Sequence, residues 1–352
     1  MKKIDKKQIC IFLAIMLFIF AEIIPRELNN LDEIWNFNFA NSIAKGLLPY
    51  KDFSIIQGPL VPLITGIILK IFGTEMFITR ILAVILDSTI LFLVYKIMDK
   101  LNIKDYIKYI ILTILAIIMK PYFALDYNWA SLSLVLLIIY LEITKKESIK
   151  KQILIGLIAG FTITIKQTTG LIISIATIGW CILETRNLKD LKKYIKNMLY
   201  RFLGVFSVVS IFIAILIALG IFANYIDYCI LGVKTFSNSI SYIEALIKNS
   251  NIIIKLLSLS PIVANIALLI MYIKTKSKEF LVLFTYSIAQ MVVVYPIADE
   301  THFVVAIVPT VIAIGFLINI LIKKIYESKK VEIIINSFLI CFISICYNWA
   351  KT

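Results

Sequence analysis

The sequence predicts an all-α polytopic membrane protein of about 11 spans, with a first outer loop built from juxtamembrane helices. Three observations predict it. Of the 352 residues, 61% are hydrophobic and 16% charged, with mean hydropathy +0.94, whereas soluble domains are roughly 45–50% apolar. The apolar residues fall into segments near the ~20 residues that a helix needs to cross a ~30 Å hydrocarbon core. Short basic clusters at 1–7, 96–108, 145–151, 186–201, 274–278 and 323–330 separate these segments and hold 25 of the 36 Lys and Arg residues.

Basic loops remain on the cytoplasmic side, so an even number of crossings must separate neighbouring clusters. Three apolar segments, 9–24, 59–73 and 77–97, lie between the first two clusters, and one of them cannot span. The middle one opens with Gly-Pro-Leu-Val-Pro and carries Lys70, which suits an interfacial or re-entrant helix. The outer loop then runs over 25–76. The apolar stretch from Lys151 to Cys181 is broken by Lys166-Gln167-Thr168-Thr169-Gly170 between basic flanks, which predicts a hairpin with short arms. A lysine just below the outer surface is costly unless hydrated or paired, which makes Lys166 a functional candidate. The other spans are expected at 108–120, 130–144, 202–222, 252–273, 280–295, 303–322 and 331–347. The N-terminus is cytoplasmic, and 1–352 forms a single membrane domain without a soluble one.

The net charge of +14 would suggest nucleic acid in a soluble protein, but here it marks topology, so no nucleic-acid partner is expected. The five cysteines have no paired or metal-like spacing, the chain has one histidine, and no Gly-rich phosphate loop occurs.

This mapping gathers polar groups on the outer face: Asp32, Glu33, Tyr50, Lys51, Asp52, Gln57, Arg80, Lys120, Asp126, Tyr127, Asn128, Lys166, Asp299, Glu300 and His302. Carboxylates and cations together suit a site that uses a base and an anion-binding group. No cofactor is fixed by the sequence, and a divalent metal is compatible with it. Glu33, Asp52 and Asp299 are the acids available for a divalent ion, although their spacing demands none.

The segment LDEIWNFNFANSIAKGLLPYKDF, followed by QGPLVPLITGIILKIFGTEMFITRILAVI, resembles the N-terminal signature of C-type-fold (GT-C) glycosyltransferases. The closer resemblance is to polyprenyl- or dolichyl-phosphate-sugar enzymes such as protein O-mannosyltransferases and aminoarabinose transferases. ILIGLIAGFTITIKQTTGLII resembles their G-x3-G-x5-K-x3-G hairpin, and YPIADETHFVVAIVP a P-x-x-D-x-x-H element. The resemblance implies sugar transfer, with inversion, from a polyprenyl-phosphate donor to an envelope glycan, lipid or protein acceptor on the outer face of the plasma or inner membrane. It makes Asp32 the catalytic carboxylate and Glu33 a helper or alternative base, and it puts Lys166 and Arg80 at the lipid phosphate. Tyr50, Asp52, Gln57, Asp126, Asn128, Asp299 and His302 then line the site.

Simpler roles stand beside these. Asp32 and Glu33 suit a helix N-terminus, Lys166 can snorkel, Arg80 can anchor at the interface, and Asp87 can pair with a polar group of another helix. The rival functions are a polyprenyl-lipid flippase, a polymer-assembly factor or a transporter. A transporter is disfavoured by the absence of an inverted repeat; a flippase or polymer-assembly factor would bind polyprenyl phosphate as well, and the outer acidic pair discriminates, because a transferase needs it and a flippase tolerates its loss.

Overall fold

A computed structural model describes residues 6–28, 30–144, 147–184, 190–232, 241–248 and 252–325. Among them every named element is helical. Helix α1 (Lys6–Ile23) is followed by the expected interruption, which folds into α2 (Leu31–Ala44) and α3 (Leu60–Phe72) before α4 (Met76–Lys100). Next come α5 (Asp105–Met119), α6 (Tyr127–Ile143), the hairpin α7 (Ile149–Ile165) and α8 (Gln167–Leu183), and the long α9 (Leu191–Ala218). Two short helices, α10 (Phe222–Tyr225) and α11 (Tyr242–Ile247), flank a π-turn at Ile226–Leu231. The rest is α12 (Ile252–Thr275), α13 (Lys278–Gln290), α14 (Glu300–Ala306) and α15 (Val308–Ile325). The span expected at 331–347 lies outside the described residues, as do Cys341 and Cys346.

Among the described residues three helices are long and apolar enough to cross a bilayer: Met76–Lys100, Leu191–Ala218 and Ile254–Thr275. The pair Glu300–Ala306 and Val308–Lys323, bent by 49°, makes a fourth if counted as one. The segment expected at 303–322 is therefore broken near Ile307, and that expected at 280–295 leaves α-helix at Met291 for a 3-10 turn. Many large apolar side chains face outward, Leu17, Phe72, Phe206, Ile211 and Val263 among them, as suits a surface solvated by lipid.

The helices bring the basic clusters together in pairs at one end of the bundle. Lys7 pairs with Asp105 at 2.6 Å, Lys96 donates to Gln8 at 2.7 Å, and Lys278 reaches Glu147 at 2.8 Å. At this end lies a fully buried ion pair. Arg201 on α9 donates to both carboxylate oxygens of Glu142 on α6 at 2.6 and 3.1 Å, to Gln152 of α7 at 2.6 Å, and to the Thr177 carbonyl of α8 at 2.8 Å. Tyr286 of α13 donates to the same Glu142 carboxylate at 3.2 Å. The centre of the Trp180 ring lies 5.4 Å from the Arg201 guanidinium and 4.8 Å from the Lys278 ammonium. Five helices thus meet on one satisfied charge pair.

Close packing of α7 on α9 makes this possible. A side chain at Gly156 would put its Cβ 2.2 Å from the Arg201 carbonyl, and one at Gly204 would sit 2.6 Å from the Ile153 carbonyl. Small residues here let the two backbones touch, the usual device for helix association in a bilayer.

Candidate functional site

The acidic pair falls at the start of α2, and its two members have different surroundings. Asn30 is the N-cap: its side-chain oxygen accepts from the Asp32 and Glu33 amides at 3.0 and 3.2 Å. Capping is therefore done by a neighbour, and the carboxylates are left for other work. Glu33, 5% exposed, is held by Arg80 through Nε at 2.8 Å and Nη2 at 3.3 Å, with Arg26 at 3.4 Å. Arg80 also donates to the Ile24 and Glu27 carbonyls, and Arg26 to that of Phe123. This network ties the first outer loop to α1 and α4.

Asp32 has no such anchor. Among the described residues its half-buried carboxylate accepts no hydrogen bond, and it lies within electrostatic reach of His302, Asp299 and Lys166. Burial, reinforced by Asp299, pushes its pKa up, against the opposing pull of His302 and Lys166.

Lys166 stands at the break between α7 and α8 in extended backbone, φ −138° and ψ 104°. The hairpin is tight: a Cβ at Gly170 would come 2.2 Å from the Ile163 amide nitrogen. The side chain is 7% exposed, donates to Asn128 Oδ1 at 2.6 Å, and its ammonium lies 5.5 Å from the Tyr127 ring centre. No ion pair closes on it among the described residues. Burial depresses its pKa to about 8, opposed by the charges of Asp126, Asp299 and Asp32. Gln167, next in sequence, donates to the Ile56 and Cys229 carbonyls at 2.9 and 2.6 Å, fastening the break to the outer loop and the π-turn.

Asp126 caps α6, accepting from the Trp129 amide at 2.8 Å, and is 1% exposed. Its pKa rises to about 7, first through burial and then through the nearby Asp32 charge, against hydrogen bonds from Trp129 and Asn128 and the Lys166 charge. A carboxyl whose pKa is raised on folding stabilises the fold fully below its unfolded value of roughly 4 and loses that contribution as pH rises. Melting temperature in detergent is therefore expected to fall from about pH 4 towards pH 7, and Asp126→Asn should flatten that slope.

Asp299 caps α14, accepting from the His302 amide at 2.9 Å and meeting the ring nitrogen Nδ1 at 2.7 Å. Burial would raise its pKa, but the His302 contacts and the Lys166 charge hold it below the usual range. Beside it, Tyr122 donates to Glu300 at 2.9 Å. An apolar groove between α12 and α13, lined by Tyr242, Pro261, Ile266, Phe284 and Met291, lies next to α14, with the Tyr242 ring packed on Phe303 at 5.6 Å.

Asp32, Asp126, Asn128, Lys166, Asp299 and His302, contributed by four separated stretches, thus form one cluster joined by the Lys166–Asn128 and Asp299–His302 hydrogen bonds and by mutual electrostatic reach. By helical rise Gln152 and Lys166 are about 21 Å apart along α7, so this cluster and the Arg201–Glu142 pair occupy opposite ends of the bundle. The remaining expected residues lie elsewhere. Tyr50, 2% exposed, donates to the Gln57 carbonyl at 2.8 Å within a cluster holding Tyr225 and Cys229. Asp52 accepts from the Leu48 amide at 2.7 Å and closes a turn. Asp87 of α4 is fully buried with neither carboxylate oxygen hydrogen-bonded to a described group. Glu33, Asp52 and Asp299 are not brought together, and among the described residues no three acidic, His or Cys groups are placed to hold a metal ion. The N-cap role of Asn30 and the bracing by Arg26 and Gln167 were missed from the sequence. An Asn two residues ahead of an acidic helix start is the one signal that was present.

Residues 56–212 match the model of the dolichyl-phosphate-mannose-protein mannosyltransferase family. The chain resembles the crystal structure of ArnT from Cupriavidus metallidurans bound to undecaprenyl phosphate, with TM-score 0.62 and 13% identity over 89% of this chain and 60% of that one. It also resembles the Archaeoglobus fulgidus oligosaccharyltransferase with Zn and sulfate, with TM-score 0.58 and 11% identity over 97% of this chain and 52% of that one. The third is the oligosaccharyltransferase AglB from the same organism, in complex with an inhibitory peptide and a dolichol-phosphate, with TM-score 0.58 and 10% identity over 98% and 55%. The chain therefore spans about six tenths of ArnT and about half of the oligosaccharyltransferase. No curated protein sequence matches it.

Proposed function

We propose that this chain, which has the fold of the C-type membrane glycosyltransferases, moves a sugar from a polyprenyl-phosphate donor to an acceptor on the outer face of the plasma or inner membrane. The observation that carries the reading is the cluster in which Asp32, without a hydrogen-bonding partner among the described residues, lies within electrostatic reach of the buried ammonium of Lys166. Asp32 takes the acceptor proton as the acceptor oxygen attacks the anomeric carbon. Inversion follows from this single displacement. Lys166, positioned by Asn128, meets the lipid phosphate where negative charge grows as the sugar leaves. Asp126, Asp299 and His302 complete the cluster. Glu33 and Arg80, named from the sequence as helper base and phosphate ligand, are spent on each other, and we assign them to holding the outer loop in place. Tyr50, Asp52 and Gln57 shape that loop.

The groove beside α14 suits the prenyl tail, since it is apolar and adjoins the helix that carries His302. The acceptor is an envelope glycan, lipid or protein. The bundle ends suit the same orientation, because the basic loops gather opposite the cluster and positively charged loops stay in the cytoplasm. About eleven spans fit this scheme, with the N-terminus inside, 25–76 as the outer catalytic loop and the whole chain as one membrane domain.

Two measurements test this reading. Undecaprenyl phosphate binding, followed by quenching of intrinsic fluorescence in nanodiscs, is expected to weaken roughly 10-fold or more in Lys166→Met, the loss of a charge-assisted hydrogen bond worth about 1.5–3 kcal/mol. Binding equal to the parent's would remove Lys166 from the phosphate. Cysteines replacing Lys51 and Lys150, with Cys10 replaced, report orientation. The first is expected to react with an impermeant maleimide in intact cells and the second only after permeabilisation. The reverse pattern would put the cluster inside.

A further inference from the structure

Helix α9 is longer than a membrane crossing needs. Its 28 residues extend about 42 Å by helical rise, against a hydrocarbon core of about 30 Å, and its charge-free run begins only at Phe202. The surplus is the stretch Leu191 to Tyr200, LKKYIKNMLY, at the end of the bundle where the basic clusters gather. Among the described residues none of these side chains is buried, and the first buried one on the helix is Arg201. Arg201, Gly204 and Val208 form the edge that packs on α7.

The face away from that edge carries two kinds of side chain. Leu191, Ile195, Leu199, Phe202, Leu203 and Phe206 are exposed, and their three- and four-residue spacing makes them one stripe that runs on into the apolar part of the helix. Lys192, Lys193 and Lys196 are exposed in the adjoining sector. The Lys193 ammonium lies 5.7 Å from the Tyr194 ring centre and that of Lys196 5.8 Å from the Tyr200 ring centre. Lysines and tyrosines at one level mark a membrane–water interface. The acids of neighbouring helices are already committed: Glu142 to Arg201, Glu147 to Lys151 and Lys278, and Glu184 to Lys278. Among the described residues no acid pairs with Lys192, Lys193 or Lys196. A soluble polyanion would neutralise the lysines and leave the stripe in water, whereas a phospholipid matches both, chains against the stripe and phosphate against the ammonium groups.

We propose that the start of α9 is a docking surface for anionic phospholipid. The acyl chains lie along the stripe from Leu191 to Phe206, and Lys192, Lys193 and Lys196 meet the headgroup phosphates. This is how a basic amphipathic segment next to a membrane span engages an anionic leaflet. A zwitterionic lipid offers the same chains without net charge, so the three lysines select the anionic class. The contact also sets the depth of α7, because the two backbones touch at Gly156 and Gly204. The surface lies at the opposite end of the bundle from Lys166 and does not depend on the transferase reading.

The test is lipid selectivity. The full chain in detergent is offered equal amounts of phosphatidylglycerol and phosphatidylcholine, and the lipids it retains are counted by native mass spectrometry. The parent is expected to favour phosphatidylglycerol. Combining Lys192→Gln, Lys193→Gln and Lys196→Gln should reduce that preference roughly 10-fold or more, as three cations at an anionic surface require. Arginine at the same three positions should keep it. Lys6→Gln, Lys100→Gln and Lys274→Gln together remove equal charge from exposed lysines of other clusters and should cost far less. None of these six lysines is buried, so both variants are expected to fold as the parent does. Equal losses in the two triple variants would show diffuse charge and overturn the surface. A parent without preference, or an arginine variant that loses it, does the same. Inorganic phosphate, compared with chloride at one ionic strength, should leave the retained lipid in place. Displacement by phosphate would make this a site for small anions and overturn the lipid as its ligand.

Discussion

Asp32→Asn is expected to lower sugar transfer by roughly 10²-fold or more, the usual contribution of a positioned base, while undecaprenyl phosphate binds as it does to the parent. The substitution keeps the shape of the side chain and removes its ability to take a proton. It leaves the helix start intact, because Asn30 supplies the cap and Glu33 holds Arg80. The adjacent Glu33→Gln makes the informative contrast. It breaks a buried pair that anchors the outer loop, so transfer and lipid binding should decline together, with a lower melting temperature. Transfer by Asp32→Asn at the parent's rate would remove the base from the proposal, whatever Glu33→Gln did.

The second large effect lies at the other end of the bundle. Arg201→Met should cost about 3–5 kcal/mol of stability, since it strands the Glu142 carboxylate in a site that is 0% exposed. The bonds to Gln152 and the Thr177 carbonyl are lost with it, and so is the stacking on Trp180. Replacing both charges, Arg201→Met with Glu142→Leu, should recover most of the loss, because a packed apolar pair avoids the desolvation penalty of two ions. Melting curves in one detergent, compared as a double-mutant cycle, provide the check. A single variant as stable as the parent would show that the five helices do not depend on this pair. Neither residue approaches the cluster, so undecaprenyl phosphate binding by the folded fraction should be unaffected.

Much of the architecture was legible in the run of apolar residues. The interruption at 25–76, the Lys166 hairpin and the helix at 77–97 all appear where hydropathy and charge placed them, since both signals are local. The misses share a physical origin. α9 begins at Leu191, well before the expected 202, because an amphipathic basic stretch can extend a helix without adding hydropathy. The segment at 303–322 is broken near Ile307, just ahead of Pro309, whose missing amide and bulky ring interrupt the helix, a feature that hydropathy does not register.

The site divides in the same way. Sequence order put Asp32, Asp126, Asn128, Lys166, Asp299 and His302 at the end of the bundle away from the basic loops, where Lys166 bonds Asn128, His302 bonds Asp299, and the charges lie within electrostatic reach of one another. It put Glu33 and Arg80 at that end as well, yet could not say that they would face each other across the α2–α4 contact. Tyr50 and Gln57 share a loop with the site but turn into their own cluster. Depth along a helix axis follows from counting residues, whereas the direction in which a side chain leaves that axis depends on which helix packs alongside.

From its amino acids alone the chain settles that it is helical and lipid-solvated, with acids and a lone lysine gathered at the end away from its basic loops, because hydrophobicity and charge act over a few residues at a time. Only the three-dimensional packing decides that Glu33 is paired with Arg80 while Asp32 is left without a hydrogen bond among the described residues, within electrostatic reach of Lys166 and His302. That choice depends on the relative placement of positions up to 270 residues apart, from Asp32 to His302, which no local signal encodes.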